Sequence, residues 1–161
     1  MIRLNIKFIL RILTIICIIF TVIFIWSNSL ENASESSDTS GVIVDFLKPI
    51  FDPNNSVDYD LFTHIVRKAA HFSEFALLGS EIVILFMLCK KSDEFHFGLI
   101  ASSVCLGFSV AVSDELIQLT SEGRACEFTD MMIDLCGLIS GVLFIVVLRF
   151  LIIKINTKEK A

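Results

Sequence analysis

The chain alternates between long apolar blocks and shorter polar segments, and the blocks predict helices that cross a membrane. A helix needs about 20 mostly apolar residues to span the hydrocarbon core. Four blocks come close to this length with at most one charge each: residues 12–30, 75–89, 97–113 and 135–153. We predict an all-α, integral membrane four-helix bundle with spans at about residues 8–30, 64–89, 96–119 and 130–153. One membrane domain is expected to cover residues 1–161.

The first span has two interpretations. Its basic start and apolar stretch also occur in secretory signals, with Ser27 and Ser29 as a weak pair of small residues for cleavage. The apolar run is longer than the core of a usual signal, which favours an uncleaved anchor.

The polar segment after the first span contains a shorter helical pattern. Its apolar residues recur at the spacing of one helix face: Ile43, Phe46, Leu47 and Ile50. Ser40 is a candidate cap at its start and Pro49 lies near its end. At about three turns the helix is too short to span. We predict an amphipathic helix that lies in the membrane interface within the first outer loop.

The basic residues predict the orientation of the spans. Cytoplasmic segments of membrane proteins are enriched in Lys and Arg. If both termini are cytoplasmic, nine of the 13 basic residues lie inside: Arg3, Lys7, Arg11, Lys90, Lys91, Arg149, Lys154, Lys158 and Lys160. We therefore expect a multi-pass plasma-membrane protein whose segments 31–74 and 114–134 face the exterior or its interface.

Composition argues against a nucleic-acid partner and indicates no chemical role for the cysteines. The formal net charge is −5, which argues against a nucleic-acid partner. No Cys-x-x-Cys pair or zinc-type spacing occurs among the five cysteines. Four of them lie in apolar runs, so we expect them to be small buried hydrophobic residues.

Ionisable residues near the predicted outer ends of the spans form three clusters. Such groups are costly in a membrane unless they face a partner or a wet cavity. The second span carries Arg67, Lys68, His71, Glu74 and Glu81; the third ends with Asp114, Glu115 and Gln118, with Arg124 beyond it; the fourth is preceded or opened by Glu127, Asp130 and Asp134. Three clusters at one depth predict a shared outward-facing polar site.

Two of these clusters share a helix face with small residues. Ser103, Gly107 and Ala111 continue the Asp114 face, while Gly137 and Gly141 follow Asp134 on its face. Small residues at this spacing allow membrane helices to pack closely. The acidic faces are therefore expected to point at other helices rather than at lipid.

The residue types favour acid–base chemistry and anion binding. His71 is the candidate acid or base, with Asp114 and Glu115 as the other candidate catalytic residues that orient it. Candidate substrate-binding residues are Lys68, Gln118, Arg124, Asp130 and Asp134. His71 with carboxylates is also a weak pattern for a divalent metal. No cofactor motif occurs, and the residues alone leave catalysis, transport and a structural polar network open.

The order of these motifs resembles the VanZ-like family. The resemblance rests on Arg67-Lys68-Ala69-Ala70-His71-Phe72, Asp114-Glu115-x-x-Gln118, Arg124, and Asp130-x-x-x-Asp134-x-x-Gly137-x-x-x-Gly141. Trp26-Ser27-Asn28-Ser29 is similar to the serine-rich end of that family's first helix. These are bacterial multi-pass membrane proteins, and the name comes from a protein linked to low-level resistance to the glycopeptide antibiotic teicoplanin.

The resemblance implies a role at the cell envelope but supplies no reaction. We expect an outer site that binds or modifies an anionic envelope lipid or glycan precursor, with a possible effect on glycopeptide susceptibility. Two other functions remain open. One is a small proton-coupled transporter that uses Glu81 and His71, and the other is a non-catalytic membrane partner protein. The sequence does not determine an oligomeric state.

Overall fold

The computed structural model describes residues 6–90 and 97–158 and has an all-α fold. Its five helices are α1 (Ile6–Leu30), α2 (Ala33–Phe51), α3 (Tyr59–Cys89), α4 (Phe97–Gln118) and α5 (Phe128–Lys158). Four of these, α1, α3, α4 and α5, contain stretches that are long and apolar enough to cross a membrane. This confirms the predicted fold class. The short loop expected between the second and third spans lies outside the described residues.

The second span begins earlier than predicted. Asp58 caps α3 by accepting a hydrogen bond from the Asp60 N–H, so the helix starts at Tyr59 and continues for 31 residues. At 1.5 Å per residue its length is about 46 Å, which exceeds a hydrocarbon core of about 30 Å. The polar first turns of α3 therefore extend beyond the hydrocarbon and bring their side chains to the end of the bundle.

Helix α3 lies at the centre of the bundle and packs against each of the other four helices. The core between them is apolar and fully buried, and includes Ile25, Phe75, Leu78, Ile82 and Leu138. In the spanning helices most charged residues lie toward the helix ends, and Glu81 lies deeper in α3.

Glycines set the closest approach, which is between α3 and α5. A Cβ at Gly137 would overlap the Phe72 carbonyl oxygen, and a Cβ at Gly141 would overlap that of Ala76. The predicted packing face of α5 is thus confirmed. Asp134, one turn before Gly137, is 1% exposed, so the face that carries this acid points into the bundle.

The small-residue face of α4 is also buried, as predicted. Ser103 and Ala111 are fully buried, and Gly107 provides the space that the Leu138 side chain of α5 occupies. Leu138 also places its backbone against Gly79 of α3. This one residue therefore fixes the position of α5 against both neighbouring helices.

The helix between the first and second spans is longer than the three turns predicted. α2 has 19 residues and its N-cap is Asn32, not Ser40. The Asn32 side chain accepts from the Glu35 N–H and the Glu35 carboxylate accepts from the Asn32 N–H, which is a capping box. The serine-rich segment is helical because this box opens it, and Ser40 bonds back to the Ser36 carbonyl within the helix.

The cysteines are not buried, so that expectation is wrong. Cys17, Cys89, Cys105 and Cys136 are exposed on the outside of the bundle, and Cys126 is half-buried. Apolar residues prefer the interior of a protein that is surrounded by water. In a membrane the surroundings of the bundle are as apolar as its core, so small apolar residues are equally stable on its surface.

Candidate functional site

The polar side chains of four helices meet at one end of the bundle. The C-terminal ends of α1 and α4 lie there beside the N-terminal parts of α3 and α5. All eight predicted site residues are at this end: Lys68, His71, Asp114, Glu115, Gln118, Arg124, Asp130 and Asp134. The geometry separates them into a buried acidic cluster, a basic cavity and one carboxylate that holds a loop.

Asp114 is fully buried and held by two donors. The Ser29 hydroxyl of α1 donates to Oδ1 at 2.5 Å, and the Gln118 side-chain amide donates to Oδ2 at 3.0 Å. Gln118 lies one turn after Asp114 on the same helix, which is why the sequence spacing placed them together. Ser29 fixes the end of α1 to this carboxylate. The backbone carbonyl of Ser29 also accepts a hydrogen bond from the Ser121 hydroxyl.

His71 and Asp134 complete a three-residue cluster with Asp114. The His71 Nδ1 lies 3.9 Å from the Asp134 Oδ1. One potential ligand atom from each of the three residues lies within 4.8 Å of the others. Asp134 is buried, and neither of its oxygens accepts a hydrogen bond from the described residues. Asp134 therefore belongs to the acidic cluster and not to the basic cavity, although both include His71.

Glu115 contacts the loop between α4 and α5. Its Oε2 accepts from the Glu127 N–H at 3.1 Å, and it also bonds the Cys126 thiol. Burial raises the pKa of the Cys126 thiol, and the neighbouring Glu115 carboxylate raises it further. In this arrangement Glu115 positions the loop that carries Arg124. Glu127 lies before α5 rather than on its face, and its carbonyl accepts from the Asp130 N–H.

Lys68 and Asp130 form an ion pair between α3 and α5. Both side chains are half-buried and line the same cavity. The pair links the two helices at the rim of the site and neutralises one of its basic groups.

Arg124 lies in the loop after α4 and reaches α2. Its Nη2 donates to the Ser36 hydroxyl at 2.6 Å. Its Nε and Nη1 are buried and have no hydrogen-bond partner among the described residues. Burial lowers the pKa of the Arg124 guanidinium, and the positive charge of Arg67 lowers it further. Arg67 and Arg124 are therefore close enough to repel each other. The carboxylates that attract Arg124 are those of Glu31, Asp114 and Glu115.

Two cavities lie at this polar end of the bundle. They have volumes of about 230 and 240 Å³, and Arg67, His71 and Arg124 line both. The first also contacts Lys68, Gln118 and Asp130. The second lies between α1, α2 and α3 and reaches Glu74, whose Oε1 accepts from the Asn28 side chain at 3.0 Å.

Sequence reasoning missed the contributions of α1 and α2. Ser29 and Asn28 bond the acids of other helices. In the sequence they are part of the polar, serine-rich end of the first span, and they were not predicted as site residues. Ser36 gave no signal, because its contact with Arg124 joins residues 88 positions apart. Arg67 was predicted to belong to the polar cluster of the second span but was not among the candidate substrate-binding residues.

Comparison with known proteins places these features in a family. No curated protein and no solved structure matches the chain. A family model described as VanZ/LLP1 matches residues 12–149. That range includes all eight candidate site residues and most of the four helices long enough to span. On this match the chain belongs to the VanZ/LLP1 family.

Proposed function

We propose that this membrane protein acts at the cell envelope, where its polar cavity binds or modifies an anionic envelope lipid or glycan precursor. The observation that carries the proposal is a cavity with two guanidinium groups, Arg67 and Arg124, next to the candidate acid or base His71. Phosphate is the anion expected in such lipids and precursors.

The charges of the cavity favour an anion. Lys68 is already neutralised by Asp130, whereas Arg124 has two buried nitrogens without an acceptor among the described residues. Arginine binds phosphate through paired N–H donors that lie in one plane. A phosphate between Arg67 and Arg124 would relieve their repulsion and accept the unused hydrogen bonds.

The position of the cavity at the end of the bundle fits a ligand from the membrane surface. The distribution of Lys and Arg supports an orientation with both termini cytoplasmic and this end outside. A lipid headgroup would then reach the cavity from the outer leaflet. Changes in envelope precursors would in turn affect glycopeptide susceptibility. This fits the origin of the family's name, which comes from a protein linked to teicoplanin resistance.

His71 is the proposed acid or base if the bound molecule is modified. It lines both cavities and faces Asp134. Asp114 lies in the same cluster and is oriented by Ser29 and Gln118. Glu115 supports the site through its loop contacts.

Loss of either arginine is expected to weaken binding of an anionic lipid. We expect Arg67→Gln and Arg124→Gln each to lower the affinity of the full-length protein for phosphatidylglycerol by roughly 10–100-fold, since a hydrogen bond to a charged group contributes about 1.5–3 kcal/mol. Binding is measured in lipid nanodiscs made mostly of phosphatidylcholine, by exchange of a fluorescent phosphatidylglycerol.

The matched control removes the same charge far from the cavity. Lys154 is exposed near the C-terminal end of α5, so Lys154→Gln should retain the affinity of the unmodified chain. Equal loss in all three variants would mean that only net charge matters. Unchanged affinity in both arginine variants would reject the proposed site.

Proton-coupled transport is a second candidate because two acids on α3 face α1. Glu81 Oε1 accepts from the Thr21 hydroxyl at 3.1 Å, as Glu74 does from Asn28, and each has a second buried oxygen without a partner among the described residues. They lie two turns apart along the bundle. Anion binding does not require Glu81, so full lipid affinity in the Glu81→Gln variant fits the first function. A loss of lipid affinity in this variant would favour a path that couples Glu81 to the cavity.

A further inference from the structure

We infer that His71, Asp114 and Asp134 bind a divalent transition-metal ion. The three residues come from α3, α4 and α5, so the ion would connect the three helices at the polar end of the bundle. The inference depends on the geometry of this cluster and not on the proposed binding of an anion.

The possible ligand atoms of the three residues lie close enough together for one ion. One atom from each residue lies within 4.8 Å of the other two. Donors on one tetrahedral ion with bonds of about 2.1 Å are about 3.4 Å apart. Small rotations of the three side chains are enough to reach that spacing, because the helices already bring them to one point.

Among the described residues, the Asp134 carboxylate lacks the contacts that a buried charge requires. Its side chain is almost fully buried, and neither oxygen has a hydrogen-bond donor in the described part of the chain. A buried carboxylate without a hydrogen-bond donor is strongly disfavoured. Asp114, also fully buried, lies beside it and adds a second carboxylate.

Neither Lys68 nor Arg124 forms an ion pair with these two acids, although the Arg124 charge acts on Asp114 from a longer distance. Lys68 pairs with Asp130, and Arg124 donates to Ser36. The partner that faces Asp134 is His71, at 3.9 Å. A divalent ion would balance both carboxylates and use the ring nitrogen of the histidine as its third ligand.

Neighbouring contacts already orient the ligands. Asp114 accepts from Ser29 on one oxygen and from Gln118 on the other, which leaves each oxygen a further lone pair. Hydrogen bonds of this kind hold carboxylate ligands in metal sites. With one nitrogen and two oxygen donors the set suits Zn²⁺ or Mn²⁺ better than Ca²⁺. A four-coordinate ion would keep one position open. Because His71 lines both cavities, the ion would lie close to them.

The test measures metal content and stability rather than activity. Full-length protein is purified in detergent, treated with a chelator, supplied with Zn²⁺ and separated from unbound metal. We expect about one Zn²⁺ per chain and a melting temperature that rises with Zn²⁺ concentration. Asp134→Asn and His71→Gln should lower Zn²⁺ affinity by at least about 10–100-fold, because changes to supporting residues alone cost that much.

Two control variants remove the same chemical groups outside the cluster. Glu122 is an exposed acid, and His64 is an exposed histidine on the same helix as His71, so Glu122→Gln and His64→Gln should bind Zn²⁺ normally. Absence of Zn²⁺ uptake by the unmodified chain overturns the inference, as does uptake that both cluster variants retain. If Asp134→Asn does not elute as folded protein, Zn²⁺ uptake by the His71→Gln variant and by the unmodified chain still tests the inference.

Discussion

Replacement of Gly141 by leucine is expected to lower the stability of the folded protein in detergent strongly. A Cβ at this position would overlap the Ala76 carbonyl oxygen and lie 2.7 Å from its carbon. These are backbone atoms of α3, so they cannot rotate away as a side chain can. Overpacking typically costs about 1–3 kcal/mol, and we expect Gly141→Leu to reach the upper end of that range. Thermal unfolding of purified protein measures the loss.

The chain offers a matched control for this substitution. Gly98 lies at the start of α4, and a Cβ there would have no neighbour within 4 Å. Gly98→Leu should therefore leave the melting temperature nearly unchanged. If both leucine variants melt at the temperature of the unmodified chain, the close packing of α3 and α5 is wrong.

The second large effect concerns the contact between Leu138 and Gly107. Leu138 is fully buried, and its side chain occupies the space beside Gly107. Leu138→Ala should destabilise the protein by about 2 kcal/mol, the lower end of the range for buried leucines, because helices in a membrane gain packing but little hydrophobic energy. Gly107→Ala should also destabilise, because its methyl group would overlap the leucine.

The two substitutions together should cost less than the sum of their separate effects. Truncation of Leu138 opens the space that the new methyl group at Gly107 requires, so the alanine pair relieves the clash. Residues in contact usually show interaction energies of about 0.5–3 kcal/mol. The measurement is a double-mutant cycle of unfolding free energies in detergent. Strict additivity would show that α4 and α5 do not meet at this point.

This contact also bears on the candidate site. Leu138 lies one turn after Asp134, and Gly107 lies two turns before Asp114. The contact therefore sets the relative height of α4 and α5 that brings the two carboxylates together.

Helix faces were predictable from the sequence because their periodicity is local. The glycines of α5 and the small residues of α4 recur at intervals of four, so their packing faces followed directly from helix geometry. The clustering of polar residues also followed, because charged groups in a membrane protein gather at a common depth. The structure bears out both packing faces.

Partners between helices were not predictable, because nothing local specifies them. Ser29 and Asp114 are 85 residues apart, and their hydrogen bond depends on how α1 rotates against α4. The early start of α2 was different, because the spacing of Asn32 and Glu35 is a capping-box signal. The apolar face that begins at Ile43 instead indicated a later start for this helix.

The central claim is that the polar cavity opens on the outer side of the membrane, and cysteine labelling tests it most directly. Ala125 is exposed and lines the first cavity. Ala125→Cys is made in a chain without the five native cysteines and treated in intact cells with a membrane-impermeant thiol reagent. Ser92→Cys, in the segment expected inside, is the control. We predict labelling of Ala125→Cys in intact cells and of Ser92→Cys only after permeabilisation. The opposite pattern would contradict an outward-facing site.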